Sequence, residues 1–146
     1  MHHSSPFIST YQITVNCWLI LNISHSFSTK RKNYAYAQKF CETAAMNKFK
    51  TGRLVEPKTQ SFNDKVYAES KVSFGFWSFW MGIEAKKGAW VYTSSGSKIS
   101  FENWFKFVKS KKPKAGDCAH ASTGGKWTKG RCNGNHSFVH FICEFV

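Results

Sequence analysis

Residues 117–145 read "DCAHASTGGKWTKGRCNGNHSFVHFICEF" and carry three of the chain's five cysteines, threaded through glycines and followed by an alternating apolar run. "GKWTKG" and "SFVHFICEF" have the side-chain alternation of strands, with a loop between them. The cysteines are Cys17, Cys41, Cys118, Cys132 and Cys143. Their wide spacings match neither a C-x-x-C redox pair nor a zinc framework, and they suit two disulfides in an oxidising compartment. Cys17 is then the odd one. It either bridges two chains as a disulfide-linked dimer, stays reduced, or leaves with a leader.

Outward from this stretch, residues 33–48, "NYAYAQKFCETAAMNK", place Tyr34, Ala37, Cys41 and Ala44 or Ala45 at three- and four-residue steps, which predicts a helix with Cys41 facing the core. "RLVEP" predicts a short strand closed by Pro57. A second helix is expected over "SFNDKVYAES" (61–70), with Ser61 and Asp64 as a capping box and Phe62, Val66 and Tyr67 as its apolar stripe. "FWSFWMGI" (76–83) has apolar residues on both faces, the pattern of a strand covered on both sides. "AWVYTSSGSKISFENW" (89–104) predicts two strands around a Ser-Gly turn. The fold class expected is α+β, with two helices beside short mixed β-structure and no βαβ repeat.

The 146 residues suit one domain, and 42% apolar with 17% aromatic residues excludes wholesale disorder. Two readings of the N-terminus stay open. Residues 1–24 are either a leader, whose apolar part lies in "FISTYQITVNCWLILNI" (7–23), or a first strand; 25–146 are the domain. No other segment approaches the length of a membrane span. Two sequons, Asn22-Ile23-Ser24 and Asn135-His136-Ser137, are glycan acceptor sequences in a secreted chain.

A formal charge of +13 favours acidic partners: polyanionic glycans, nucleic acid, anionic lipid or an acidic protein. Lysine supplies most of that charge, whereas base-reading sites lean on the arginine fork, so nucleic acid is disfavoured. The interval 105–116, "FKFVKSKKPKAG", holds five lysines and no acid and is expected to be a surface loop. The absence of paired-carboxylate, phosphate-loop and H-E-x-x-H patterns argues against an enzyme, and no cofactor is implied. His136 and His140 share a strand face but stand about 13 Å apart, too far for one ion. Asp117, Cys118 and His120 make no nucleophilic trio if Cys118 is in a disulfide.

From about Ser26 to Phe145 the chain resembles the C-type lectin-like domain family. The resemblance runs through "SFSTKRKNYAYAQKFC" ending at Cys41, "GRLVEP", Trp80-Met81-Gly82-Ile83, "WVYTSSGSKISFENW", Asp117-Cys118, Gly125 to Trp127, Cys132, and Phe141 to Glu144. It implies Cys41–Cys143 and Cys118–Cys132 bridges, stabilising by about 5 and about 3 kcal/mol through loop closure, and it implies Trp80 and Trp127 in the core.

Sugar-binding members of that family hold calcium through a triplet such as E-P-N or Q-P-D, followed by W-N-D. This chain departs at both places: "FKFVKSKKPKAGDC" follows Trp104, and Thr128 and Lys129 follow Trp127. Calcium takes six to eight oxygens, which these residues do not offer, so no metal site is expected. The candidate ligand-binding residues are Lys106, Lys109, Lys111, Lys112, Lys114, Lys126 and Lys129, joined by Arg131, with Phe105 and Phe107 either stacking on a ligand or anchoring the loop. The expected function is calcium-independent recognition of acidic or sulfated glycans by a secreted, extracellular protein. The alternative is a structural or protein-binding matrix module that presents its basic face to an acidic extracellular protein.

Overall fold

A computed structural model describes residues 13–14, 24–28, 32–44, 51–74, 78–134 and 139–146. The strands are β1 (Ile13–Thr14), β2 (Ser24–Ser28), β3 (Gly52–Leu54), β4 (Ser78–Lys86), β5 (Ala89–Tyr92), β6 (Asp117–Ala121), β7 (Trp127–Arg131) and β8 (Val139–Phe145). Two main helices, α1 (Tyr34–Ala44) and α2 (Gln60–Phe74), and one short helix, α3 (Lys106–Lys109), complete the α+β architecture, with a 3-10 turn at Thr123–Gly125. The sheet order is β1-β2-β8-β4-β6-β7, with β3 on β8 and β5 on β4. The central β4 and β8 run parallel and the other pairings are antiparallel. Cys17, His136, most of the 7–23 segment and both sequons but for Ser24 lie outside the described residues.

Alternation along the two central strands divides the core. Phe79, Met81 and Ile83 of β4 and Ile142 of β8 join Val66 and Trp127 in one cluster, against which Phe62 and Tyr67 of α2 pack. On the opposite side Trp80, Val139, Phe141, Cys143 and Phe145 meet Tyr34, Ala37 and Cys41 of α1. Each strand thus feeds two cores, which is why β4 reads as a nearly continuous apolar run, while β8 keeps His140 and Glu144 on the face that carries Ile142. The expected bridges are present: Cys41–Cys143 pins α1 to β8 across 102 positions, and Cys118–Cys132 closes a 14-residue separation beside β7. Trp80 and Trp127 are fully buried, and each indole N–H is satisfied, by the Lys32 carbonyl and by Asn63 Oδ1 at 2.7 and 2.8 Å.

Gly82 is fixed by space. A Cβ there would meet Glu56 Cγ and the Leu54 carbonyl at 2.9 Å, because the Gly82 N–H donates to the Val55 carbonyl and draws the two chains together. The same approach buries Glu56. Its carboxylate accepts from the Ser94 N–H and hydroxyl at 2.9 Å, while its own N–H donates to Glu144 at 2.8 Å. Arg53 answers the charge of Glu144 at 2.6 Å. Burial pushes the Glu144 carboxyl up, and the Glu56 N–H and Arg53 only partly oppose that rise.

Three local expectations are corrected. Thr59, not Ser61, caps α2: its hydroxyl accepts from the Phe62 N–H at 3.1 Å, and Asp64 instead accepts from Gln60. The segment after Gly96 is not a second strand but a single bridge, Val91 to Lys98, because the hydrogen bonds of Gly96 and Ser97 close a tight turn back onto Tyr92. The interval 105–116 is not wholly loop. Val108 turns inward and is buried, and the Phe105 carbonyl accepts from the Val108 and Lys109 N–H groups, which gives α3 its single turn. Like charges tolerate this turn because the lysines at its two ends stay exposed.

The far end of that interval is fastened by Asp117. One oxygen accepts from Lys129 at 2.9 Å and from the Lys114 N–H at 3.0 Å, and the other accepts from Arg131 at 3.1 Å. Burial raises this carboxyl, but the Lys129, Lys114 and Arg131 contacts outweigh it and hold the group below its ordinary value. Among the described residues no helix is long and apolar enough to cross a membrane.

Two predictions follow from these buried carboxylates. Arg53→Met leaves Glu144 buried without its cation and is expected to cost about 3 kcal/mol at pH 7. With Arg53 gone the folded-state affinity of Glu144 for a proton rises further, so stability falls as pH climbs from the ordinary carboxylate value to the raised one. Urea unfolding of the variant should therefore show a smaller loss at pH 4 than at pH 7. Asp117 has the opposite sign. Its contribution is complete above its ordinary value of 3.8 and is lost as pH falls through its lower folded value. Asp117→Asn should cost about 2 kcal/mol at pH 7, the scale of hydrogen bonds to a charged group, and the gap between variant and wild type should narrow in unfolding titrations below that value.

Candidate functional site: a tryptophan-floored groove beside the lysine segment

The site is built on Trp127. Its N–H donates to the Asn103 carbonyl and its carbonyl accepts from the Phe105 N–H, both at 2.9 Å, so the chain around Trp104 runs alongside β7 as a parallel bridge. The Trp104 ring then meets Trp127 edge-on at 5.3 Å. Trp90, half-buried on β5, lies against the other side of Trp104 with ring centroids 4.6 Å apart and planes tilted by 33°. Two neighbouring indoles therefore lie together at the edge of the sheet, Trp90 half-buried and Trp104 behind it buried.

That surface floors a groove of about 280 Å³ lined by Trp90, Trp104, Glu102, Lys109, Lys111 and Lys112, with Ser110 and Pro113 completing the wall. Lys109 reaches back to Glu102 at 3.3 Å, and both side chains are largely open to solvent. Among the described residues no carboxylate pairs with Lys111 or Lys112, so their charges face the groove mouth uncompensated.

The seven candidate lysines thus separate. Lys109, Lys111 and Lys112 converge on the groove. Lys106 stands exposed on α3, and Lys114 is tied through its N–H to Asp117. Lys126 donates to Asn103 Oδ1 at 3.3 Å. Lys129 and Arg131 are both engaged by Asp117 and act on the fold. Phe105 is packed against the core, and Phe107 stacks on it at 5.4 Å while remaining 63% exposed. The other groove-lining residues Trp90, Glu102 and Trp104 were not among the sequence candidates. The available signal was the position of Trp90 in a short strand, and its meaning depended on β5 lying beside β4 at the sheet edge, with the Val91–Lys98 bridge on its other side.

The donor set does not fit calcium. Glu102 is paired with Lys109, Asp117 is occupied by two cations and an N–H, and the side chains between Trp104 and Asp117 offer one hydroxyl, from Ser110, among five ammonium groups. A divalent ion here would meet positive charge where it needs six to eight oxygens. Among the described residues no three His, Cys, Asp or Glu side chains gather in metal-binding geometry. The Asp117, Cys118 and His120 neighbours form no nucleophilic set either. Cys118 is in a disulfide, and the His120 ring packs edge-on to Trp80 at 5.2 Å.

Comparison with known proteins agrees with this architecture. No curated protein sequence matches the chain. Among solved structures, human lithostathine superposes with a TM-score of 0.71 at 22% identity, covering 88% of this chain and 87% of that one. The mouse scavenger receptor C-type lectin carbohydrate-recognition domain gives 0.71 at 21% identity, with 90% and 94% coverage. The C-type lectin CEL-I from Cucumaria echinata gives 0.71 at 13% identity, with 92% and 98% coverage. At these identities the likeness concerns the fold. The family model of the lectin C-type domain matches residues 30–145. The chain therefore belongs to the C-type lectin domain family, a family of binding domains rather than enzymes.

Proposed function

We propose that the chain is a secreted lectin that binds acidic or sulfated glycans without calcium, using the groove over Trp90 and Trp104. The observation that carries this reading is the meeting, in one groove, of an indole floor with three lysine ammonium groups. The apolar face of a pyranose packs on aromatic rings, and ammonium groups form charge-assisted hydrogen bonds with sulfate or carboxylate. Carbohydrate recognition by relatives of this fold, such as the mouse scavenger receptor domain, supports a sugar as the ligand. The lysine-rich donor set supports attachment that does not pass through a metal ion. Two disulfides support an oxidising, extracellular setting.

The reading is tested on a glycan array probed with and without EDTA and at stepped salt. Sulfated and uronate-bearing glycans should be retained, EDTA should leave binding unchanged, and affinity should fall as salt is raised, as expected of attachment through ammonium groups. A Lys111→Ala/Lys112→Ala double variant should lose about tenfold or more in affinity, the scale of one or two charge-assisted contacts, and should melt like wild type. Binding abolished by EDTA, or indifferent to ligand charge, would overturn the proposal.

A further inference from the structure

Glu102 is out of place in a site built only to attract negative charge. The chain has 8 acidic residues against 21 basic ones, yet one of the acids stands on the wall of the groove, and its side chain is 46% exposed. It is not there to fasten the fold. Its ion pair is with Lys109, which is itself 67% exposed and at the groove rim. The groove is also small: at about 280 Å³ it lies just below the usual range of small-molecule sites, a volume that suits contact with one substituted ring at a time.

We propose that Glu102 makes the groove a reader of single, singly charged sugar rings, a monosulfated pyranose or a uronate, rather than of dense polyanions. The inference rests on the groove being the glycan site and assigns the division of labour within it. Lys111 and Lys112 take the anionic substituent. Trp90 and Trp104 take the apolar face of the ring. Glu102 accepts hydrogen bonds from free hydroxyl groups on the same ring. An ionised carboxylate has about four acceptor positions and Lys109 engages one oxygen, so capacity remains for a sugar diol. Such bonds are charge-assisted and roughly twice as strong as neutral ones. A ligand substituted at every hydroxyl offers Glu102 no donor and confronts its charge with another negative group. Selectivity thus arises from an attractive element and a repulsive one acting together.

The sign of the effect in two variants separates this role from a merely electrostatic one. Titration calorimetry of wild type, Glu102→Gln and Glu102→Ala would use two probes, a monosulfated disaccharide and inorganic tripolyphosphate, with melting curves to establish that each variant is folded. For the disaccharide, affinity should fall about fivefold in Glu102→Gln and further in Glu102→Ala, since the amide keeps a weaker acceptor and alanine none. For tripolyphosphate, both variants should bind several-fold tighter than wild type. If both probes tighten equally in both variants, Glu102 only competes for Lys109 and the proposal fails while the glycan reading stands. Unchanged affinity for both probes would also overturn it. Failure of wild type to bind the disaccharide while it binds tripolyphosphate would overturn the proposal too, whereas failure to retain any sulfated or uronate-bearing glycan on the array would remove the glycan reading itself.

Discussion

The contact of Trp127 with the chain around Trp104 is the constraint on which the site depends. Trp127 is fully buried, its indole is held by Asn63 of α2, and its backbone accepts and donates across to Phe105 and Asn103. These bonds satisfy polar groups that would be costly to bury unpaired, and they fix where the segment after β5 can run. Trp104 is thereby delivered edge-on to Trp127 and face-near to Trp90. A single core tryptophan therefore sets the position of Trp104, itself buried, against which the half-buried Trp90 packs.

Electrostatics then sorts the positive charge that composition leaves undifferentiated. Asp117 gathers Lys129, Arg131 and the Lys114 N–H at the base of β6, so those cations act as structural partners. Lys109, Lys111 and Lys112 line the groove, where among the described residues the acid in the wall is the exposed Glu102. One carboxylate buried under two cations and one left at a groove rim give the two ends of the lysine segment different work. At the Asp117 end the carboxylate is buried and paired, although the Arg131 side chain that bonds it stays 62% exposed. At the exposed end, charges keep their hydration until a ligand replaces it.

How much of this was legible in sequence follows from how local each determinant is. The Tyr34, Ala37 and Cys41 spacing and the continuous apolar run of β4 report burial directly, so the helix and that two-sided strand could be read from periodicity; the alternation of β8 did not show that Ile142 packs into the second core. The disulfide pairing came only with the family resemblance, and the bonded pairs Cys41–Cys143 and Cys118–Cys132 agree with it. The capping residue of α2 was misplaced because Thr59 and Ser61 carry the same chemistry two positions apart, and only backbone geometry chooses between them. The α3 turn was hidden because five lysines mask one inward valine, Val108. Trp90 and Glu102 were invisible as site residues since neither belongs to the lysine run, and their meeting with Lys109 is made by the β5 edge position and the Trp127 anchor. Of the lysine candidates, Lys109, Lys111 and Lys112 line the groove, while Lys129 and the Lys114 N–H bond to Asp117, a contact that spacing does not show.

The claim that most of the functional account rests on is that ligand contacts a groove floored by Trp90 and Trp104 and walled by residues 109–112. Nuclear magnetic resonance of the isotope-labelled protein reads it directly, through the indole N–H signals of the tryptophans during titration with a monosulfated oligosaccharide in EDTA. The account predicts progressive shifts of the Trp90 and Trp104 indole signals together with the backbone amides of Lys109 to Lys112, while the Trp80 and Trp127 indoles, held by Lys32 and Asn63 in the core, stay in place. Saturable binding that leaves Trp90 and Trp104 unmoved and shifts another face of the molecule would contradict it.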